Sequence, residues 1–223
     1  MRCNKNGVFA LFIIMKKIVI ALVLLLSLGA AQAQTVSKAT MDQYKQLIKL
    51  HKKSYQTCND QLAKWGFEYN KGGVMDIFVM QTHPYYRPEG QDTVGAMLGV
   101  IDGVVYSISG LFSSNDVARA YSLIAGASAI QQQLATEMGL TKYVCSVKGK
   151  NVKNKFPKSH EELVEVLSEA SAETVSMVYE EWKSADGKVT LTFVYNNHLY
   201  GKKKPRKNDR VELMLGLGTT PER

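Results

Sequence analysis

Histidine pairs are missing from this chain. Its four histidines, His51, His83, His160 and His198, show neither i,i+4 nor HxH spacing. No local segment therefore presents two imidazoles to a metal from one face. The run His160-Glu161-Glu162-Leu163-Val164 begins like a zinc-protease HExxH, but Val164 stands where the second histidine is needed. Its acids suit the first turn of a helix, where the dipole favours negative charge. A G-x-S-x-G elbow, a P-loop and a dinucleotide-binding glycine fingerprint are all absent, which removes the locally encoded hydrolase, nucleotide and Rossmann chemistries. No metal, cofactor or catalytic residue is assigned.

Cysteine is also scarce. There are three, with no CxxC pair, which excludes a disulfide-dense scaffold and a zinc ribbon. An uninterrupted apolar run of about twenty residues, the length a spanning helix needs, is lacking too. The longest such region is broken by Lys16 and Lys17, and a double charge in mid-membrane is costly.

That interruption has a second meaning. Lys16 and Lys17 precede the apolar run 18–28, and small residues then lead to Ala31-Gln32-Ala33. A charged n-region, a short h-region and an A-x-A exit are the parts of a secretory signal peptide. Residues 1–33 are expected to be that leader, with Met15 the natural start and cleavage after Ala33. A retained anchor is the alternative reading. No cysteine lies near the cleavage point, so a lipid anchor is not expected. The mature protein is expected to be periplasmic or secreted, with no membrane span once the leader is gone. Arg2, Lys5, Lys16 and Lys17 would leave and no acid with them, which lowers the net charge from +8 to +4. Cys3 leaves as well. Cys58 and Cys145 then either form one disulfide, which a long loop would make worth about 4–5 kcal/mol in the chain-entropy model, or remain buried thiols.

Periodicity organises the rest. Met41, Tyr44, Ile48, His51, Tyr55, Cys58, Leu62 and Trp65 recur at steps of three and four, predicting a helix over 41–64. Strands are expected at 74–81, 94–101 and 104–109, the last two joined by Asp102-Gly103. That dipeptide favours a type I′ hairpin because both positions take positive φ. A helix is expected over 116–138, capped by Ser113 or Ser114 and closed by Gly139. A strand follows at 141–147, then a helix over 160–170 with the Ser159/Glu162 capping box. The last third reads as a meander: 173–182, the turn Asp186-Gly187, 189–195, a basic loop and 211–217. Gly72, Val74, Phe78 and Val79 share the spacing of Gly187, Val189, Phe193 and Val194, which suggests a worn tandem repeat of a helix-plus-meander unit over 34–112 and 113–223. The expected class is α+β, with helices packed on antiparallel meanders.

Several of these features carry a resemblance. The hairpin around Asp102-Gly103, the run Val104-Val105-Tyr106-Ser107-Ile108, the helix with Ala118 and Tyr121, and Trp182 before Gly187-Lys188-Val189 resemble small exported gram-negative α+β proteins of unknown function. Some of these look like the β-lactamase-inhibitor-protein type of fold. The resemblance implies a binding or inhibitory module and carries over no functional residue.

Two kinds of segment are candidates for recognition. Residues 82–90 read as a proline-stiffened loop offering His83, Tyr85, Tyr86 and Arg87, and tyrosine and arginine are enriched at interface hot spots. Lys148, Lys150, Lys153, Lys155 and Lys158 fill one loop, while Lys202, Lys203, Lys204, Arg206 and Lys207 fill another. If these converge they form an anion-binding surface; otherwise they are solvated loop tips. No aromatic interleaves the second run to stack on bases, so nucleic acid is disfavoured. The expected function is a non-catalytic binding or accessory protein that recognises a protein or cell-envelope component. A hydrolase assembled from distant residues and a binder of anionic polymers are the alternatives.

Overall fold

The computed structural model describes residues 43–220, apart from 78, 91, 151, 153, 154, 207 and 208. The expected leader, Lys153 and Lys207 lie outside the described residues. The described residues form one compact unit, built on a 9-stranded antiparallel sheet. In chain order the elements are α1 (Tyr55–Lys64), β1 (Glu68–Tyr69), a 3-10 turn (Lys71–Gly73), β2 (Met75–Ile77), β3 (Met80–Glu89), β4 (Asp92–Ile101) and β5 (Val104–Ser114). There follow α2 (Val117–Ser122), α3 (Ile124–Glu137), β6 (Lys142–Gly149), α4 (His160–Ser168), β7 (Val175–Lys183), β8 (Val189–Asn197) and β9 (Val211–Thr219). The sheet order is β1-β3-β4-β5-β9-β8-β7-β6, with β2 also paired to β3. Two meanders, β3-β4-β5 and β7-β8-β9, thus meet through their last strands.

The mixed α+β class expected from sequence is what the chain adopts. The hairpin at Asp102-Gly103 forms as expected, with φ of 49° and 75°. Ser159 caps α4 by accepting from the Glu162 N–H, while the Glu162 carboxylate accepts from the Lys158 N–H. Gly139, at φ 66°, closes the α3 region.

Other elements differ from expectation, each for a physical reason. The helix expected over 41–64 is interrupted: residues 43–48 are helical and α1 begins only at Tyr55. Between them the backbone pairs with the tip of the β4–β5 hairpin. Lys52 N–H donates to Val105 O, Val105 N–H to Lys53 O and Tyr55 N–H to Gly103 O. Lys52 takes φ 61° to reach that position, and Ser54 recaps the chain by accepting from Thr57 N–H. Tertiary hydrogen bonds here override helix propensity. The helix over 116–138 is likewise two helices. Its N-cap is Asp116, whose carboxylate accepts from Arg119 N–H at 2.9 Å, whereas Ser113 and Ser114 belong to β5.

The segment 82–90 is no loop. It lies mostly in β3, paired along its length with β4. Proline is tolerated because the carbonyl of Pro84 accepts from Asn70 N–H, so its nitrogen faces the same outer side, where short strands β1 and β2 leave a gap. The proposed spacing repeat also fails to align. Gly72 and Val74 precede β3, the first strand of one meander, while Val189 and Phe193 lie in β8, the middle strand of the other.

One face of the sheet is covered and the other open. Directly paired residues share a face, and the registers define the row Tyr85, Ala96, Gly110, Leu215, Phe193, Glu180, Cys145 across seven strands. All but the glycine have side chains buried beneath helices. Gly110 lies so close under Tyr44 that a Cβ there would come 2.9 Å from its ring. The helix α1 packs on β5, α2 on β5 and β9, and α3 across β7, β8 and β9, with α4 against α3. The opposite face carries no element among the described residues.

Candidate functional site

The alternation of β3 divides the four residues expected to form a recognition loop. His83, Tyr85 and Arg87 point to the covered face, and only Tyr86 points to the open one. Tyr85 is 1% exposed. Its hydroxyl donates to Asn59 Oδ1 at 3.0 Å and lies 3.2 Å from the Tyr55 hydroxyl, and burial raises its pKa. His83 Nδ1 is 2.9 Å from the Tyr69 hydroxyl, its ring 4.4 Å from that of Tyr55. Desolvation lowers the His83 pKa against a weaker pull from Asp76, which keeps the ring neutral. Arg87 is a brace. It donates to Trp65 O at 2.6 Å and Gln43 Oε1 at 2.8 Å, pairs with Glu89 and covers the Phe67 ring at 4.8 Å. Tyr86, at 39%, remains exposed.

The bridge considered for Cys58 and Cys145 is not formed; both thiols are free and buried. Cys58 lies on α1, over β5, whereas Cys145 is in β6, the far edge strand. Four strand spacings of about 4.8 Å separate β5 from β6, roughly 19 Å, and a disulfide needs Cα atoms within about 7 Å. Burial pushes the Cys58 thiol up to about 11 and the Cys145 thiol up to about 12, which suppresses nucleophilic reactivity.

A polar cluster lies beneath α3. Ser128 Oγ, on α3, is 2.7 Å from Nδ1 of His160, the first residue of α4. On the sheet below, Glu180 is fully buried. Trp182 Nε1 donates to its Oε1 at 3.3 Å. Ser128 and Tyr143 stand near enough to lower its pKa, though neither meets good hydrogen-bond geometry, and Oε2 has no partner among the described residues. Burial prevails and raises the carboxyl to about 7. Gln131, also fully buried, donates to Thr192 O at 2.7 Å. This is a serine–histidine contact with a carboxyl on the serine side, the reverse of the order in a hydrolytic triad, and Ser128 is fully buried. The signal for Glu180 was legible: an acid stands between Val178 and Trp182 on the inward parity of β7. Nothing local connects Ser128 to it.

The two lysine-rich loops do leave the same end of the sheet. One follows Gly149 at the end of β6, which pairs with Val175 at the start of β7. The other follows Asn197 at the end of β8, whose amide donates to Val175 O. Their roots are two strands apart, about 10 Å. Lys155 pairs with Glu169 at 3.1 Å and Lys202 with Asp209 at 2.7 Å. The charged ends of Lys148, Lys150, Lys158, Lys203, Lys204 and Arg206 form no ion pair among the described residues. A cleft of about 240 Å³ lies at this end, lined by Val152, Lys155, Glu169, Ser171 and Thr174. A second, of about 480 Å³, lies at the opposite end among Lys52, Tyr106, Asp186, Lys188 and Thr219.

Among the described residues no group of three or more His, Cys, Asp or Glu side chains is placed to hold a metal ion, and no helix is long and apolar enough to cross a membrane. No known family, curated protein or solved structure matches the chain.

Proposed function

We propose that this chain is an exported, non-catalytic binding protein that engages an anionic component of the cell envelope through the basic end of its sheet. One observation carries the reading: the end of β6 and two loops some fifty residues apart in sequence bring Lys148, Lys150, Lys158, Lys203, Lys204 and Arg206 to one end of one sheet. Clustered cations on one rigid edge raise the local potential and attract polyanions in a salt-dependent way. The leader-like segment before Gln34 supports export. The meeting of two meanders through β5 and β9 supports a tandem helix-plus-meander organisation, and it accords with the resemblance to β-lactamase-inhibitor-like modules.

Heparin chromatography tests this. Replacing Lys203, Lys204 and Arg206 by glutamate, or Lys148 and Lys150 by glutamate, should move elution to lower salt. The log–log salt slope should fall by about one for each contacting cation lost. Lys71→Glu, on the other half of the sheet, should elute with the unmodified protein. Unchanged retention of both loop variants would remove the proposal.

The Ser128–His160 contact favours a second reading, an exported hydrolase assembled from distant residues. A fluorophosphonate probe should then label the protein and fail to label Ser128→Ala. Equal absence of labelling in both retires that reading.

A further inference from the structure

The open face of the sheet has a composition that open, solvated faces seldom have. Its central row, read from the registers, is Tyr86, Gly95, Leu111, Met214, Val194 and Tyr179. On the neighbouring row Met97 stands opposite Pro84, while Met75 and Ile77 of β2 extend the margin and are more than 40% exposed. From β3 through β8 the only charged side chain on this face is Glu212, near the end of β9 where it pairs with His198. Charge reappears at the two margins, with Glu68 of β1 beside Tyr86 and with Glu181, Lys183, Lys142 and Lys148 at the β7–β6 edge. An uncharged centre with a charged rim is the anatomy of a protein–protein interface. The apolar central row is flanked by Ser109, Gly216 and Thr192 on one side and by Thr93 and Ser113 on the other, and an apolar strip of this kind marks a contact surface.

We propose that this face is covered by a second copy of the chain, related by a two-fold axis that runs along the strands between β5 and β9. Three observations point to a copy rather than another partner. The strand order β3-β4-β5-β9-β8-β7 is its own reverse about that axis, so each open-face residue of one meander faces a residue of the other. Leu111 then faces Met214 of the second copy, Val194 lies over Gly95, and Tyr86 meets Tyr179. The same rotation sets Glu181 and Lys183 over Pro84 and Thr82, so no like charges oppose. An axis across the strands would stack the β6–β7 lysines on themselves. Finally, seven strands at about 4.8 Å and nine residues at about 3.3 Å give roughly 1,000 Å² per copy, above the ~800 Å² per partner of a standard stable interface. Two sheets packed face to face in this way are ordinary in β-sandwiches.

The dimer leaves the two lysine-rich loops free, with Lys148 at its rim, so it stands or falls separately from the anion-binding reading. Light scattering coupled to size exclusion should give twice the chain mass for the protein and the single-chain mass for Met214→Lys/Val194→Lys with unchanged circular dichroism. A mixture of Tyr86→Cys and Tyr179→Cys proteins, treated with a short bismaleimide, should yield a cross-linked pair, while each variant alone stays uncrosslinked. A single-chain mass for the unmodified protein at 100 µM would overturn the proposal. So would a dimer untouched by the two lysines, or cross-linking of Tyr86→Cys to itself.

Discussion

Glu180 shows how one side chain can set the pH dependence of a fold. It lies on the inward parity of β7 with Val178 and Trp182, and the helices above leave it no water. Burial raises its carboxyl from 4.5 to about 7. The groups facing it are Trp182, Tyr143 and Cys145 from the sheet and Ser128 from α3, with His160 behind Ser128. The folded-state pKa lies above the unfolded one, so the fold prefers the protonated acid. Below about pH 4.5 both states are protonated and nothing is lost. As pH rises toward 7 the unfolded chain ionises freely and the folded chain does not, and stability falls by roughly 3 kcal/mol. Glu180→Gln should abolish that slope. Urea unfolding should place it close to the unmodified protein at pH 4.5 and clearly above it at pH 8; parallel behaviour at both pH values would refute this account.

At the scale of an element, β3 is the most instructive. The Pro-Tyr-Tyr-Arg-Pro segment has the composition of a loop, yet Pro84 aims its missing N–H at the gap between β1 and β2, where no ladder bond is lost. Strand alternation then gives adjacent tyrosines opposite fates. Tyr85→Ala should cost about 3–5 kcal/mol, the usual range for emptying an aromatic site in a core. Tyr86→Ala, on the open face, should stay within about 1 kcal/mol in the monomer. Denaturant midpoints of the two variants decide it, and equal losses would mean the assigned facing is wrong. The broken helices carry the same lesson. The stripe from Tyr44 to Trp65 has helical period throughout, but the β4–β5 hairpin tip offers Lys52, Lys53 and Tyr55 backbone partners that only the folded chain can supply.

The whole molecule explains why the two cysteines stay apart and unreactive. One lies under α1 over the first meander, the other on the edge strand beyond the second, and the width of the sheet separates them. With their pKa values pushed up to about 11 and about 12, neither should react with Ellman's reagent at pH 8 in the native state, and two thiols per mature chain should react in urea. One thiol or none released in urea without reductant would mean that they are oxidised.

Local order was legible in the residues themselves. Asp102-Gly103 specifies its turn because positive φ is cheap there, Ser159 and Glu162 specify a helix start, and the alternation from Val189 to Tyr195 specifies a strand with one inward face. These features depend on neighbours within a few positions. Which face the helices would cover, and that Ser128, His160 and Glu180 would meet, depends on contacts between segments thirty to fifty residues apart. The shared end of the two lysine loops depends on strand order in the same way. Those pairings are settled when β6, β7 and β8 take their register and α3 packs across them, because only then do these distant parts of the chain share one surface.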